Sequence, residues 1–156
     1  MSMSIKFDLA SFGAAIDARA KAVEDAARPA AQAGAEVLYR AVKANVAKLG
    51  SVTGNLADSI YQVYSKDNSG DGKAMYHVSW NSRKAPHGHL VEYGYLQRYP
   101  VYLGKDGHWY SRKDKPLASP RQVAAKPFVR PAAAQYPAAI EAARQELHKR
   151  LAGGEQ

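Results

Sequence analysis

Residues 59–80 read SIYQVYSKDNSGDGKAMYHVSW, and they decide the fold. In Ser59 to Ser65, Ile60, Gln62 and Tyr64 alternate with Tyr61 and Val63, and most of these residues favour strands. In Ala74 to Trp80, Met75, His77 and Ser79 alternate with Tyr76, Val78 and Trp80. Between them Lys66 to Lys73 is rich in Asn, Asp and Gly, residues that turn a chain because they tolerate left-handed backbone or bond to their own main chain. Two alternating runs around such a segment predict an antiparallel β-hairpin with a long loop.

On the N-terminal side the periodicity changes. Ile16, Ala20, Val23, Ala27, Ala30, Gly34, Val37, Leu38, Ala41, Val42 and Val46 recur at three- and four-residue steps, so Asp8 to Leu49 is expected to be helical with one apolar stripe. Pro29 lacks the N–H that would bond four residues back, which predicts either one helix kinked near Ala27 or two helices, about 10–26 and 30–49. Gly50 suits a left-handed cap. The stripe is rich in alanine, which lets another helix approach closely, in a bundle or across a subunit seam. Ser51 to Asp58 is read as a loop or short turn.

On the C-terminal side, Ala85 to Gly94 (APHGHLVEYG) suits a helical turn after Pro86 that ends at Gly94. Tyr99 to Leu103, Gly104 to Gly107 and His108 to Arg112 form a second hairpin pattern, aromatic on both arms. Asp114 to Ala125 holds Pro116 and Pro120 without periodicity and is read as an extended connector. A last helix is expected from about Ala132 to Leu151, with the stripe Ala133, Tyr136, Ile140, Ala143, Leu147 and Leu151, ended by Gly153 and Gly154. The order predicts an α+β fold, a single domain over 1–156. An antiparallel sheet is flanked by a long N-terminal helix, kinked or broken at Pro29, and a C-terminal helix.

A chain of 156 residues, 46% hydrophobic and 23% charged, is long enough to bury a core. It has no cysteine, which removes disulfides, thiol nucleophiles and thiolate metal sites. Met1 to Leu9 lacks the apolar run of a signal peptide, and no stretch reaches the ~18–20 apolar residues that cross a bilayer. A soluble protein made in the cytoplasm, with no membrane partner, is the expectation. The net charge of +8 is uneven. Lys105, Arg112, Lys113, Lys115, Arg121, Lys126 and Arg130 face only Asp106 and Asp114. Such a segment suits a polyanion, an acidic protein surface or plain solvation.

Catalytic patterns do not emerge. There is no Gly-rich phosphate loop, no GxGxxG after a strand and no GxSxG elbow. His87 and His89 with Glu92 form the one metal-like cluster, but Gly88 argues against a rigid strand there, so neither metal nor cofactor is assigned. Glu92 stands among apolar and aromatic neighbours; its reading is an ion pair with Arg98 or Arg130 rather than catalysis. Aromatics among cations at 99–113 resemble a single-strand nucleic-acid surface, though a hairpin with one apolar face reads the same way.

Three pieces carry a resemblance. They are Ser51 to Ile60 (SVTGNLADSI), with Gly54 and Leu56; His89 to Gly94 (HLVEYG), with Val91, Glu92 and Tyr93; and Ala125 to Ala132 (AKPFVRPA), with Pro127, Phe128, Arg130 and Pro131. In this order and spacing the chain resembles the siphophage tail-component family that includes the neck and tail-completion proteins of HK97-type phages and prophages. The resemblance implies a structural, non-enzymatic virion protein near the head–tail junction, ring-forming with itself and bound to neighbouring neck or tail proteins. Tyr93 stands where phenylalanine is the expected ring. Residues 95–124 form an insertion beyond the family's shortest pattern.

From the residues themselves, Gly54 permits a tight turn and Gly94 a reversal after a buried Tyr93. Pro127 and Pro131 bracket Phe128 as a buried anchor, with Arg130 a hydrogen-bonding fork beside it. Tyr99, Tyr102, Trp109, Tyr110, Arg112, Lys113, Lys115 and Arg121 are the candidate partner interface, on a hairpin expected to be exposed. A basic DNA-binding protein is the alternative.

Overall fold

The computed structural model describes residues 9–50 and 54–153, with side chains from Phe12 onward. Ser51 to Thr53, the start of the first motif, lie outside the described residues, as does Gly154.

The N-terminal segment is one helix, α1 (Leu9–Lys48), which at 1.5 Å per residue is about 60 Å long. It runs through Pro29, so of the two alternatives the single helix is the one that forms. The lost hydrogen bond at Pro29 is tolerated because Ala26 and Ala30 on either side are buried, and packing there holds the helix together. The helix ends where expected: Gly50 has φ 75° and its N–H donates to the Ala47 carbonyl.

After it comes α2 (Asn55–Ser59), a single helical turn within the segment read as a loop or short turn, entered through left-handed Gly54 at φ 76°. The hairpin of β1 (Ile60–Tyr64) and β2 (Tyr76–Trp80) follows, antiparallel, with Ile60 opposite Trp80 and Tyr64 opposite Tyr76. Ile60 is buried and Tyr61 and Val63 are exposed, as the alternation requires. Next comes α3 (Gly88–Tyr93), which stops at Gly94. Beyond it are β3 (Tyr95–Gln97), β4 (Val101–Leu103), β5 (Trp109–Ser111) and β6 (Arg121–Val123). The strands make three separate two-stranded ladders, β1–β2, β3–β6 and β4–β5, and not one continuous sheet. The β3–β6 ladder corrects the reading of Asp114 to Ala125 as connector throughout: Tyr95 pairs with Val123 and Gln97 with Arg121.

The C-terminal helix is also different in detail. A 3-10 stretch, Arg130–Gln135, precedes α4 (Tyr136–Gly153). Its buried positions are Ala132 and Ala139, whereas Tyr136 and Ile140 of the expected stripe are 56% and 61% exposed. Ala132 sits with Val42 and Val46, and Ala139 lies against Gly34, so α4 runs back along α1 towards its N-terminal end. A Cβ added to Gly34 would lie 2.9 Å from the Ala139 carbonyl oxygen and 3.4 Å from the Ala143 Cβ. The alanine-rich stripe thus serves close packing of α4 within the chain. The core proper is Val42, Val46, Ile60, Phe128 and Ala132, with Leu56, Val78, Trp80 and Val91 packed around it.

Candidate functional site

The second and third motif pieces meet at Glu92, whose side chain is 1% exposed, while the first packs through Leu56 and Ile60 into the core around Phe128. α3 presents the carboxylate to the segment before the 3-10 stretch. Its Oε2 accepts the main-chain N–H of Phe128 at 2.7 Å and of Val129 at 3.0 Å. Its Oε1 accepts the Arg130 N–H and the Arg130 Nε, both at 3.1 Å. Arg130 also donates from its guanidinium to the Glu92 carbonyl at 2.6 Å. Of the two arginines considered as partner, Arg130 makes the pair. Burial pushes the Glu92 carboxyl up, but the three main-chain N–H groups and the Arg130 guanidinium outweigh it and hold it below the ordinary glutamate range.

Phe128 is the other half of this clasp. Its ring is fully buried and meets Trp80 edge-on, with centroids 5.4 Å apart. Its carbonyl accepts the Asn45 side-chain amide at 3.0 Å, while its N–H goes to Glu92. The Lys126 N–H donates to the Val91 carbonyl at 2.8 Å. Gly94 is required: at φ 74°, a Cβ there would stand 2.6 Å from the Val123 carbonyl oxygen. Tyr93 is 65% exposed, correcting its expected burial, because the turn of α3 that buries Glu92 points the next residue outward. Its ring lies under the Arg130 guanidinium at 5.0 Å.

A carboxylate held ionised, with both oxygens aimed at the main chain of 128–130, fixes a loop and has no spare lone pair turned to an open cleft. Neither oxygen is directed to His87 or His89. Burial and the neighbouring His89 lower the His87 pKa. Among the described residues, no group of three or more His, Cys, Asp or Glu side chains could hold a metal.

The candidate interface lies elsewhere, on the β4–β5 hairpin. All six strand residues are exposed. Tyr102 and Tyr110 are cross-strand partners stacked at 5.8 Å, and the Arg112 guanidinium lies 5.4 Å over the Tyr102 ring. The Tyr110 hydroxyl donates to Asp106, which lowers the Asp106 pKa and raises that of Tyr110. Tyr99, Lys113 and Lys115 are exposed beside it. Arg121 is exposed too, but it donates to the Gln97 side chain at 2.7 Å and so ties β6 to β3. Sequence reasoning missed the space under the hairpin. A cleft of about 680 Å³ separates Val101 and Trp109 from Pro86, Leu90 and Leu96. It adjoins one of about 290 Å³ reaching Val46, Leu49 and Leu56, and both are lined by His87, Val91 and Trp109.

The site thus consists of a buried clasp, in which both Glu92 oxygens are taken up by residues 128–130, and an exposed aromatic and basic hairpin. The family model described as "Bacteriophage HK97-gp10, putative tail-component" matches residues 10–94, more than half of the chain, and the protein belongs to this family of bacteriophage tail components. The match covers the first two motif pieces and stops at Gly94, before the hairpin. No curated protein and no solved structure matches the chain. No helix among the described residues is long and apolar enough to cross a membrane.

Proposed function

We propose that this tail component is a neck or tail-completion protein, which assembles with copies of itself at the head–tail junction of the virion. In this reading Tyr95 to Arg121 makes the principal contact with a neighbouring neck or tail protein. The observation that carries it is the β4–β5 hairpin. Two-stranded ribbons are marginal alone, yet this one leaves Val101, Tyr102, Leu103, Trp109 and Tyr110 each 42–50% exposed. Exposed aromatics with arginine are what dominates interface energetics, and Lys113 and Lys115 would steer approach to an acidic surface. Immunogold labelling of purified particles tests the reading. Gold at the head–tail junction is expected; gold spaced along the tail, or none on particles, contradicts it.

The second reading, DNA binding, draws on the stacked Tyr102–Tyr110 pair with Arg112 over it. It requires log affinity for DNA to fall steeply with log salt in a filter-binding series.

A further inference from the structure

Among the described residues, α1 outruns what is packed on it. From Gly34, where Ala139 sits, α4 runs back towards the N-terminal end, and at 1.5 Å per residue Gly153 falls opposite about residue 20. The first dozen residues of α1 therefore form an overhang of about 18 Å. Phe12 and Ile16, with Val23 at its root, are 65%, 53% and 43% exposed. They continue the face that Ala26, Ala30 and Gly34 bury further along the same helix. At its other end, Val46 and Leu49 belong to the groove formed by the two adjoining clefts, with Leu90, Val91 and Trp109 on its other walls.

The stripe cannot fill its own groove, because Ile16 and Val46 are held about 45 Å apart by one helix. We propose that the α1 overhang of one copy docks in the groove of a second copy, with Phe12 and Ile16 against Trp109 and Leu90. This is a helix laid in an apolar groove by anchors one turn apart. The charges fit. Apart from tyrosines, the ionisable groups lining the groove are His87, Arg98 and Lys126, with no acid among them. The overhang and its root carry Asp17, Glu24 and Asp25 against Arg19 and Lys21, in a chain of net charge +8. Stripe and groove are different surfaces, so the contact is head-to-tail and closes into a ring if the rotation between copies permits. The outer hairpin face, with Tyr102 and Arg112, stays free for the neighbouring component.

The inference rests on the self-assembly proposed above, and the chain's lack of cysteine gives a clean background for testing both. Ile16→Cys and Trp109→Cys are made as separate proteins, mixed and oxidised, with sedimentation run in parallel. A disulfide-linked dimer forming on mixing, and not from either variant alone, is the expected result. Leu90→Cys repeats the test with the indole intact, and Tyr61→Cys, on the exposed face of β1, is the control. Linkage to Tyr61→Cys as strong as to the groove positions overturns the interface, as does Ile16→Cys dimerising alone. An oligomer with no linkage at 109 or 90 overturns the interface and leaves self-assembly standing. A chain monomeric at every concentration overturns both.

Discussion

The Glu92 carboxylate lies 2.7 Å from the main-chain N–H of Phe128, across a sequence separation of 36 residues. This bond ties the last residues of the family-matched span to the segment that starts the C-terminal helix. The same oxygens take the N–H groups of Val129 and Arg130. Losing the carboxylate therefore leaves three main-chain donors without their acceptor, while the Arg130 guanidinium keeps only its bond to the Glu92 carbonyl. Glu92→Ala is expected to destabilise by about 3–5 kcal/mol, because each buried main-chain N–H left unsatisfied costs about 1–3 kcal/mol. Glu92→Gln, which keeps one acceptor but sets an amide donor against N–H groups, should cost about 1–3 kcal/mol. Urea unfolding followed by circular dichroism measures both, and an unchanged midpoint for Glu92→Ala contradicts the clasp.

The clasp has a pH signature. The folded pKa of Glu92 is lowered, so its contribution is fully present above the unfolded glutamate value of about 4.3. The contribution is lost as pH falls through the lower folded value. The stability gap between wild type and Glu92→Gln should hold from neutral pH to about 5 and shrink below about 4. A gap that stays constant into acid would mean that the fold does not lower the Glu92 pKa, and one that widens would mean that the carboxyl is protonated in the fold.

Phe128 is enclosed by Val42, Val46, Ile60 and Ala132, with Trp80 edge-on. Phe128→Ala should lower stability by about 3–5 kcal/mol, transfer and cavity terms together. An unchanged melting temperature would show that the ring is not anchored in the core.

Two glycines of α1 should respond oppositely to alanine. At Gly13 nothing lies within 4 Å of a new Cβ, so Gly13→Ala should gain up to about 1 kcal/mol of helix propensity. At Gly34 the Cβ would press on the Ala139 carbonyl, so Gly34→Ala should lose stability despite the same propensity gain, and Gly34→Val should lose about 1–3 kcal/mol. Thermal melts of the three variants decide it. Equal gains at both glycines would contradict the close α1–α4 approach.

Much of this fold is written in local patterns, and its departures from expectation arise where distant segments meet. Alternation around the KDNSGDGK turn is enough for the β1–β2 pairing, and Gly94 marks the end of α3. The β3–β6 ladder is only three residues a side, and its register is fixed by Gln97 and Arg121, 24 residues apart, with prolines between. No periodicity can announce such a ladder. The face of α4 was misread for two reasons. Its lead-in is a 3-10 stretch with three residues per turn, which shifts the phase of every later position. Its contact with α1 also runs through Gly34 and Ala139, while the larger Tyr136 and Ile140 point away. Glu92 was legible as an ion pair, but not as a main-chain acceptor, because three of its four donors are N–H groups that no side chain reveals. The exposed cations and tyrosines of 99–121 were legible; the cleft beneath them, made by α3 and the hairpin together, was not.

The central claim is that the clasp holds the fold and the hairpin does the joining. Electron micrographs of phage carrying Lys113→Ser, Lys115→Ser and Arg121→Ser test it most directly, with the isolated variant checked for folding by circular dichroism and a Lys113→Ser, Lys115→Ser pair that spares the Arg121–Gln97 bond. Both variants should fold, and their lysates should fill with unjoined heads and tails. Joined, infectious particles at the wild-type level from a folded triple variant would contradict the account.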